Sequence, residues 1–225
     1  MAGKAALPRV VQIGYHKCGT RSFQRLFEGA GHPVVQHKLR PRFRPSRNAA
    51  ALMRENLRAG RKIFAGMEQF TFYAGLIHQT ETDSFEPIRH FREMLRDYPD
   101  TILLLNVRDR EDWIRSRLKH GHGEFAQRVM KQRGIATTDE MADTWRREWD
   151  THLAEVRAFM ADRPAQLIEF NLDTDSVEEL VARLAPYQLK AEHWADIGRT
   201  RGVRRNPLLM KLRRWWSHRR PRTSN

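Results

Sequence analysis

The sequence predicts an α/β fold of three layers, in which helices flank a central, mainly parallel sheet. Short apolar runs alternate along the chain with segments whose apolar residues recur at helical spacing, which is the order expected of successive βαβ units. The run Ile102-Leu103-Leu104-Leu105 is continuously apolar, as a parallel strand covered on both faces requires. With 225 residues, the chain is long enough to bury the core of one such domain.

The first strand and the first helix are joined by a short polar and basic loop. The apolar run Val10–Ile13 ends at Gly14, and Phe23, Leu26 and Phe27 begin a helical pattern nine residues later. A helix N-terminus presents unpaired backbone N–H groups, and its dipole favours negative charge. Because Lys17 adds a full positive charge to this loop, the stretch predicts a site for a phosphate or a sulfate.

The next elements lie between this unit and the Ile102–Leu105 run. We expect a short second strand at Pro33–Gln36 and a basic, proline-containing loop over Arg40–Arg47. Ser46 is expected to cap a helix that runs through Leu57 and ends at Gly60. The apolar segment Lys62–Met67 is predicted to be a buried strand, followed by Glu68 and a run of aromatic residues.

The second half continues the alternation, and side-chain caps mark its helices. The predicted elements are a helix from about Glu86 to Tyr98, a strand over Thr101–Val107, a helix capped by Asp109, a long helix from the Thr137-x-x-Glu140 capping box to about Met160, a strand over Ala165–Phe170, and a helix from Ser176 through Leu184.

Charge divides the chain into two parts. The whole chain has a net charge of +14. Residues 198–225 contain ten Lys or Arg and no acidic residue, whereas the first 197 residues contain 31 basic and 27 acidic residues and are therefore only mildly basic. We therefore expect an α/β domain over residues 1–197 and a basic, Trp-containing segment over 198–225. The high net charge describes the tail, and alone it is a weak argument for nucleic-acid binding.

Three further absences bear on the cellular compartment. The sequence has no apolar run near the ~18 residues of a transmembrane helix, and Met1–Pro8 lacks the apolar centre of a signal peptide. The single cysteine, Cys18, excludes an internal disulfide and suits a reducing compartment. The expectation is a cytoplasmic protein.

The order of residues in the first loop distinguishes two chemistries. Gly14 and Gly19 have the spacing of a nucleotide triphosphatase loop, but Thr20-Arg21 stands where Lys-Ser/Thr should be. The arrangement Lys17-x-Gly19-Thr20-x-Ser22 resembles instead the 5′-phosphosulfate loop of the P-loop sulfotransferases. The alternatives are a P-loop kinase or nucleotide hydrolase with Asp109 holding magnesium, and a non-catalytic module that binds anions or nucleic acid.

A second segment is similar to the same family. In Val107-Arg108-Asp109-x5-Arg115-Ser116 an arginine closes a strand and a serine lies on the next helix, as in the sulfotransferase segment that holds the 3′-phosphate of the cofactor. An arginine can grip a phosphate with two donors, and a serine hydroxyl adds a third. The family's basic, glycine-containing adenosine segment has only a loose counterpart in Arg201 and Gly202. The resemblance covers residues 9–187, with motif-level detail in 12–23 and 107–116.

This resemblance implies a P-loop-type fold and a sulfotransferase that uses 3′-phosphoadenosine 5′-phosphosulfate (PAPS), releases 3′,5′-adenosine bisphosphate (PAP) and needs no metal. Lys17 would stabilise the leaving phosphate oxygen. Glu68, at the end of a predicted strand, or His16, within the loop, would take the proton of the acceptor, with His120 and His122 as weaker candidates. The implied cofactor-binding residues are Lys17, Cys18, Gly19, Thr20, Arg21, Ser22, Arg108, Ser116, Arg201 and Gly202.

The partners follow from the same interpretation. The acceptor would be a small molecule or a glycan with a free hydroxyl or amine. The segment 207–216 combines apolar residues, arginines and two tryptophans, so it could lie on an anionic membrane surface. Nucleic acid is the less favoured partner, although stacking and phosphate contacts would use the same residue types.

Overall fold

The computed structural model describes residues 7–40 and 45–195. Its helices are α1 (Thr20–Gly29), α2 (Ala49–Arg58), α3 (Phe91–Asp97), α4 (Arg110–Leu118), α5 (Glu124–Arg133), α6 (Thr138–Phe159) and α7 (Val177–Arg183). Its strands are β1 (Val10–Gln12), β2 (Val34–Gln36), β3 (Lys38–Leu39), β4 (Arg47–Asn48), β5 (Phe72–Ala74), β6 (His78–Gln79), β7 (Ser84–Phe85), β8 (Ile102–Val107) and β9 (Leu167–Asn171).

The main sheet has seven strands in the order β4-β3-β2-β5-β1-β8-β9. The five strands from β2 to β9 in this order are parallel, and the two-residue strands β3 and β4 extend one side in antiparallel pairing. A separate hairpin pairs β6 with β7. Because β1 lies between β5 and β8, the loops that follow these three strands meet at the carboxyl end of the sheet.

Helices cover both faces of the sheet, which confirms the predicted three-layer α/β fold. On one face α1 and α7 pack with Leu104 of β8 in one apolar cluster. On the other face α2 to α6 pack with Leu103 and Leu105 in a larger cluster that contains Trp113, Trp145 and Trp149. Successive residues of β8 enter opposite clusters, which explains why the run Ile102–Leu105 is continuously apolar, since both faces of the strand are buried.

Local caps explain where several helices begin. The carboxylate of Asp109 accepts a hydrogen bond from the N–H of Asp112, and the hydroxyl of Thr137 accepts one from Glu140. The Ser176 hydroxyl accepts the N–H of Glu179 in the same way. These three predicted caps are confirmed, and α4, α6 and α7 follow them.

The prediction of a strand over Lys62–Met67 is wrong. The backbone turns twice there, with the Ala65 N–H donating to the Lys62 carbonyl and the Met67 N–H to the Phe64 carbonyl. Ile63, Phe64 and Met67 are fully buried, so the apolar run reflects the burial of this segment and does not indicate a strand. The strand of this region is β5, which begins five residues after Met67.

Other boundaries also differ from the prediction. Asn48 caps α2 in place of Ser46, because its side chain accepts the N–H of Ala51. The predicted helix Glu86–Tyr98 begins with a 3₁₀ turn over Pro87–His90, and only Phe91–Asp97 is α-helical. The predicted strand Ala165–Phe170 likewise begins with a 3₁₀ turn.

Helix α5, the β6–β7 hairpin and the edge strands β3 and β4 were not predicted. The basic loop Arg40–Arg47 lies partly outside the described residues, as does the boundary at residue 197 with all of the segment 198–225. Within the ranges that the structure describes, no helix is both long enough and apolar enough to cross a bilayer.

Candidate active site

The loop between β1 and α1 has an unusual backbone. Lys17 and Gly19 both have φ of 76°, in the left-handed region. Glycine is required at position 19 because a Cβ there would lie 2.3 Å from Cδ2 of Leu172. A lysine held in this conformation is strained, and such strain is found preferentially where a backbone shape serves a ligand.

Asn106 of β8 holds this loop at two points. Its side-chain oxygen accepts the Gly14 N–H at 3.0 Å, and its side-chain nitrogen donates to the Cys18 carbonyl at 2.6 Å. Gly14 itself cannot carry a side chain, because a Cβ would lie 2.0 Å from the Asn106 carbonyl oxygen. Sequence reasoning missed Asn106, since nothing local marks an asparagine in an apolar strand as the partner of a loop 92 residues away.

Arg108 and Lys17, which were predicted to bind the 3′-phosphate and the leaving phosphate oxygen of the cofactor, lie next to each other. The Arg108 guanidinium donates to the Lys17 carbonyl at 3.3 Å, and its Nε is buried without a hydrogen-bond partner among the described residues. Asp112 lies 3.9 Å from the same guanidinium. A buried donor without a partner fits a site that takes an anionic group.

The Lys17 side chain is half-buried, and this changes its titration. Burial lowers the pKa of its ammonium, and the nearby cations Arg21 and Arg108 lower it further. Within the described part of the chain no carboxylate lies within 4.0 Å of it. Lys17, Arg21 and Arg108 thus place three cations around the loop, a charge distribution that favours the binding of phosphate or sulfate.

The first turn of α1 adds backbone donors to these three cations. The N–H groups of Gly19, Thr20 and Arg21 have no acceptor among the described residues, as expected of a free helix N-terminus. Ser22 differs from its neighbours, because its hydroxyl donates to the Ala195 carbonyl at 2.5 Å. Ser22 is therefore engaged within the protein, whereas Thr20 and the backbone remain available.

Two other predicted site residues are buried. Cys18 is fully buried, and burial raises the pKa of its thiol to about 12, so the side chain is a neutral packing group. Ser116 lies on α4 and is 5% exposed. The same helix supports the loop through Trp113, whose indole N–H donates to the His16 carbonyl at 3.1 Å.

Glu68 does not lie at this site. It precedes β5, so it lies at the amino end of the sheet, where its carboxylate accepts the Gly66 N–H at 2.8 Å and the Tyr98 hydroxyl at 3.5 Å. Its carbonyl accepts a hydrogen bond from Arg9, the residue before β1. The prediction placed Glu68 after a strand over Lys62–Met67, and that strand does not exist, so the structure does not bring Glu68 to the loop.

His16 lies at the carboxyl end of the sheet, as predicted. Burial lowers the pKa of its imidazole well below the ordinary value, and Arg117, His120 and Lys17 lower it further, so the ring is neutral at physiological pH. Its Nε2 is buried without a hydrogen-bond partner in the described structure. A neutral imidazole with a free ring nitrogen can accept a proton.

The carboxylate that the structure does bring to the loop is Glu86, which sequence reasoning missed. It lies directly after β7, and one of its oxygens is 3.9 Å from Nδ1 of His16. Glu86 and His16 line one small cavity. The other residues around this cavity are Gly14, Thr20, Gly75, Leu76, Ile77 and Ile88.

The remaining candidates lie further from the loop or are engaged elsewhere. The His120 ring is centred 5.7 Å from that of His16, while His122 is exposed. Asp109 caps α4, and its own N–H donates to the Asp173 carboxylate at 2.7 Å. Arg201 and Gly202 lie outside the described residues.

Comparison with known proteins identifies the family. The model of the sulfotransferase domain family matches residues 9–147, more than half of the chain, and this range includes the loop, β8 and α4. No curated protein matches the sequence. The family match decides against the kinase and the non-catalytic module considered above. The chain therefore belongs to the sulfotransferase domain family and is a sulfotransferase enzyme.

Proposed function

We propose that this enzyme moves a sulfuryl group from PAPS to a hydroxyl or amine of a small-molecule or glycan acceptor. The observation that carries the proposal is the hydrogen bond from Arg108 to the Lys17 carbonyl, because it joins the loop to the arginine that we propose as a ligand of the 3′-phosphate. PAPS, when bound, supplies an activated sulfuryl group whose leaving group is a phosphate. The free donors of the loop and the buried Nε of Arg108 fit such a ligand.

The residues of the proposed cofactor site have distinct roles. The N–H groups of Gly19, Thr20 and Arg21, with the Thr20 hydroxyl, would hold the 5′-phosphate. Lys17 would stabilise negative charge on the phosphate oxygen at which the bond to sulfur breaks. Arg108 and Ser116 would hold the 3′-phosphate, where an arginine fork fits two phosphate oxygens.

The structure bears on two of the predicted cofactor contacts, those of Ser22 and Cys18. Ser22 can donate to the cofactor only if its hydroxyl leaves the Ala195 carbonyl, and Cys18 would offer only backbone groups. Ala195 lies against Ser22, and the six or seven residues from there to Arg201 and Gly202 can span about 20 Å. We therefore keep Arg201 and Gly202 as proposed adenosine contacts.

His16 is the base in this proposal. Its position inside the loop places it next to Lys17, and its neutral ring can take the proton that the acceptor loses. A cytoplasmic location and a membrane contact through residues 207–216 remain proposals drawn from the sequence.

The test is calorimetric titration with PAP, alongside ATP and magnesium. We expect PAP to bind tightly to the wild type, and Lys17→Ala and Arg108→Ala each to weaken binding by about 10- to 100-fold through loss of charged hydrogen bonds. Arg110→Ala is the matched control, since Arg110 is exposed and pairs with Asp150. A preference for ATP with magnesium, or no PAP binding, would overturn the choice of cofactor.

A further inference from the structure

Arg117 on α4 is a charged residue that lies in the apolar core of the protein. Its side chain is 1% exposed. The guanidinium carbon lies 4.7–5.4 Å from the ring centres of four aromatic residues, Tyr15, Trp113, Phe125 and Trp145. Cation–π contacts offset part of the cost of burial, but a buried guanidinium needs a carboxylate as well.

The carboxylate that meets this need is Glu86. One nitrogen of Arg117 lies 2.5 Å from Oε1 of Glu86, whose side chain is 9% exposed. Because the ion pair is sequestered from water, the attraction between its two charges is screened less than in the exposed pairs of this protein. The Glu86 carboxylate is consequently fixed in position on the wall of the cavity that contains His16.

The same oxygen of Glu86 faces the imidazole of His16. The distance from Oε1 to Nδ1 is 3.9 Å, which is too long for a hydrogen bond, but the contacts of catalytic groups often tighten only when a substrate binds. The ring is packed against Phe125, and the Trp113 indole fixes its backbone. Oε1 of Glu86 thus lies near both the Arg117 guanidinium and Nδ1 of His16. The other ring nitrogen of His16, Nε2, has no partner in the described structure.

We propose that Glu86 and Arg117 are positioning residues for His16, which is the base of the proposed sulfuryl transfer. The Glu86 carboxylate keeps the ring proton on Nδ1, and Arg117 holds that carboxylate in place. Nε2 then takes the proton of the acceptor hydroxyl or amine as the acceptor atom bonds to sulfur. The electron pair of the broken S–O bond stays on the phosphate oxygen next to Lys17. This inference rests on the proposed function.

The surroundings of His16 determine its pH dependence. The titratable and charged groups that face it are Arg117, Glu86, His120, Lys17 and His37. Burial and the cations among them lower the pKa of the imidazole. A nearby carboxylate in general favours the protonated ring and so acts in the opposite direction. Removal of the Glu86 charge should therefore move the acid limb of the activity to a lower pH.

The decisive measurement is the tautomer of His16, read from ¹H–¹⁵N correlations of histidine-labelled protein and assigned with His16→Asn. We expect neutral His16 in the wild type to carry its proton on Nδ1, and this preference to weaken in Glu86→Gln. Because Glu86→Gln leaves Arg117 unpaired, a Glu86→Gln/Arg117→Met double variant removes both charges and preserves the fold. Glu68→Gln is the matched control and should leave the His16 signals unchanged.

A second readout is the release of sulfate from PAPS, with water as the acceptor. In the double variant we expect the rate to fall about 10- to 100-fold, while calorimetric PAP affinity stays near the wild-type value. Neutral His16 with its proton on Nε2 in the wild type would overturn the proposal, and so would a His16→Asn rate equal to that of the wild type. If sulfate release is too slow to measure, the tautomer of His16 is by itself the test of the proposal. Failure of the wild type to bind PAP would instead overturn the proposed cofactor.

Discussion

Two buried asparagines, one at each end of the sheet, hold a loop in the same manner. Asn106 bonds to Gly14 and Cys18 at the carboxyl end. Asn56 of α2, at the amino end, donates to the carbonyls of Ile63 and Ala65 at 3.2 and 2.9 Å. A single amide side chain, with both donors and acceptors, can fix a turn that has no regular secondary structure.

The two loops differ in what remains unpaired. At the amino end the Asp97 carboxylate accepts the Ile63 N–H, the Glu68 carboxylate accepts the Gly66 N–H, and the Tyr73 hydroxyl donates to the Met67 carbonyl. At the carboxyl end the first turn of α1 keeps its donors free, and Lys17 has no carboxylate near it in the described structure. Unsatisfied donors, and not the mode of support, distinguish the loop suited to a ligand.

The largest difference between the two ends should appear in catalysis. Lys17→Met should lower the rate of sulfate release from PAPS by about 10²- to 10³-fold, because it removes the charge that we propose stabilises the leaving oxygen. Lys62→Met, at the amino end, should change nothing measurable in this rate, since Lys62 is exposed and lies over the Tyr98 ring, away from the loop. Equal rates for Lys17→Met and the wild type would contradict the assignment of the catalytic end.

A second comparison uses glycines and the free energy of unfolding in urea. Gly14→Ala should lower stability by about 3 kcal/mol or more, because the new methyl group would overlap the Asn106 carbonyl. Gly60→Ala, at the amino end, should cost about 1 kcal/mol, since Gly60 has φ of 66° but open space around it. A smaller loss for Gly14→Ala than for Gly60→Ala would show that the backbones do not approach so closely.

The asparagines themselves give a sharper comparison. Asn106→Ala and Asn56→Ala should each destabilise the fold by about 2 kcal/mol, because each leaves buried backbone groups without a partner. Only Asn106→Ala should also weaken PAP binding, since it releases the loop proposed to hold the phosphate. Urea unfolding and calorimetry on the same samples check this. A loss of PAP affinity in Asn56→Ala beyond its effect on stability would contradict the comparison.

The smallest expected effect concerns Cys18, although its position at a helix N-terminus beside Lys17 is typical of a reactive thiol. Burial raises the pKa of this thiol to about 12, so at pH 8 it stays protonated. We expect a thiol-reactive dye to label the native protein far more slowly than the urea-unfolded protein at the same pH. Equally fast labelling of both would show that the thiol is accessible and ionised.

The sequence by itself determined the features that depend on neighbouring residues. The loop was recognised because Gly14, Lys17 and Gly19 lie within six positions, and its chemistry follows from their order. The caps at Asp109, Thr137 and Ser176 were predicted because each bonds to a residue three positions on. The apolar run Ile102–Leu105 of β8 indicated a parallel strand, because a strand buried on both faces favours apolar residues at successive positions.

The tertiary structure decided whatever depends on which distant residues meet. An apolar run such as Lys62–Met67 records burial, and a buried turn satisfies that pattern as well as a strand does. Glu68 was therefore expected at the wrong end of the sheet, and Glu86 went unnoticed. Its partners, His16 and Arg117, lie 70 positions before it and 31 after it. The topology of the fold brings Glu86, His16 and Arg117 together, and no local sequence pattern predicts contacts between residues so far apart in the chain.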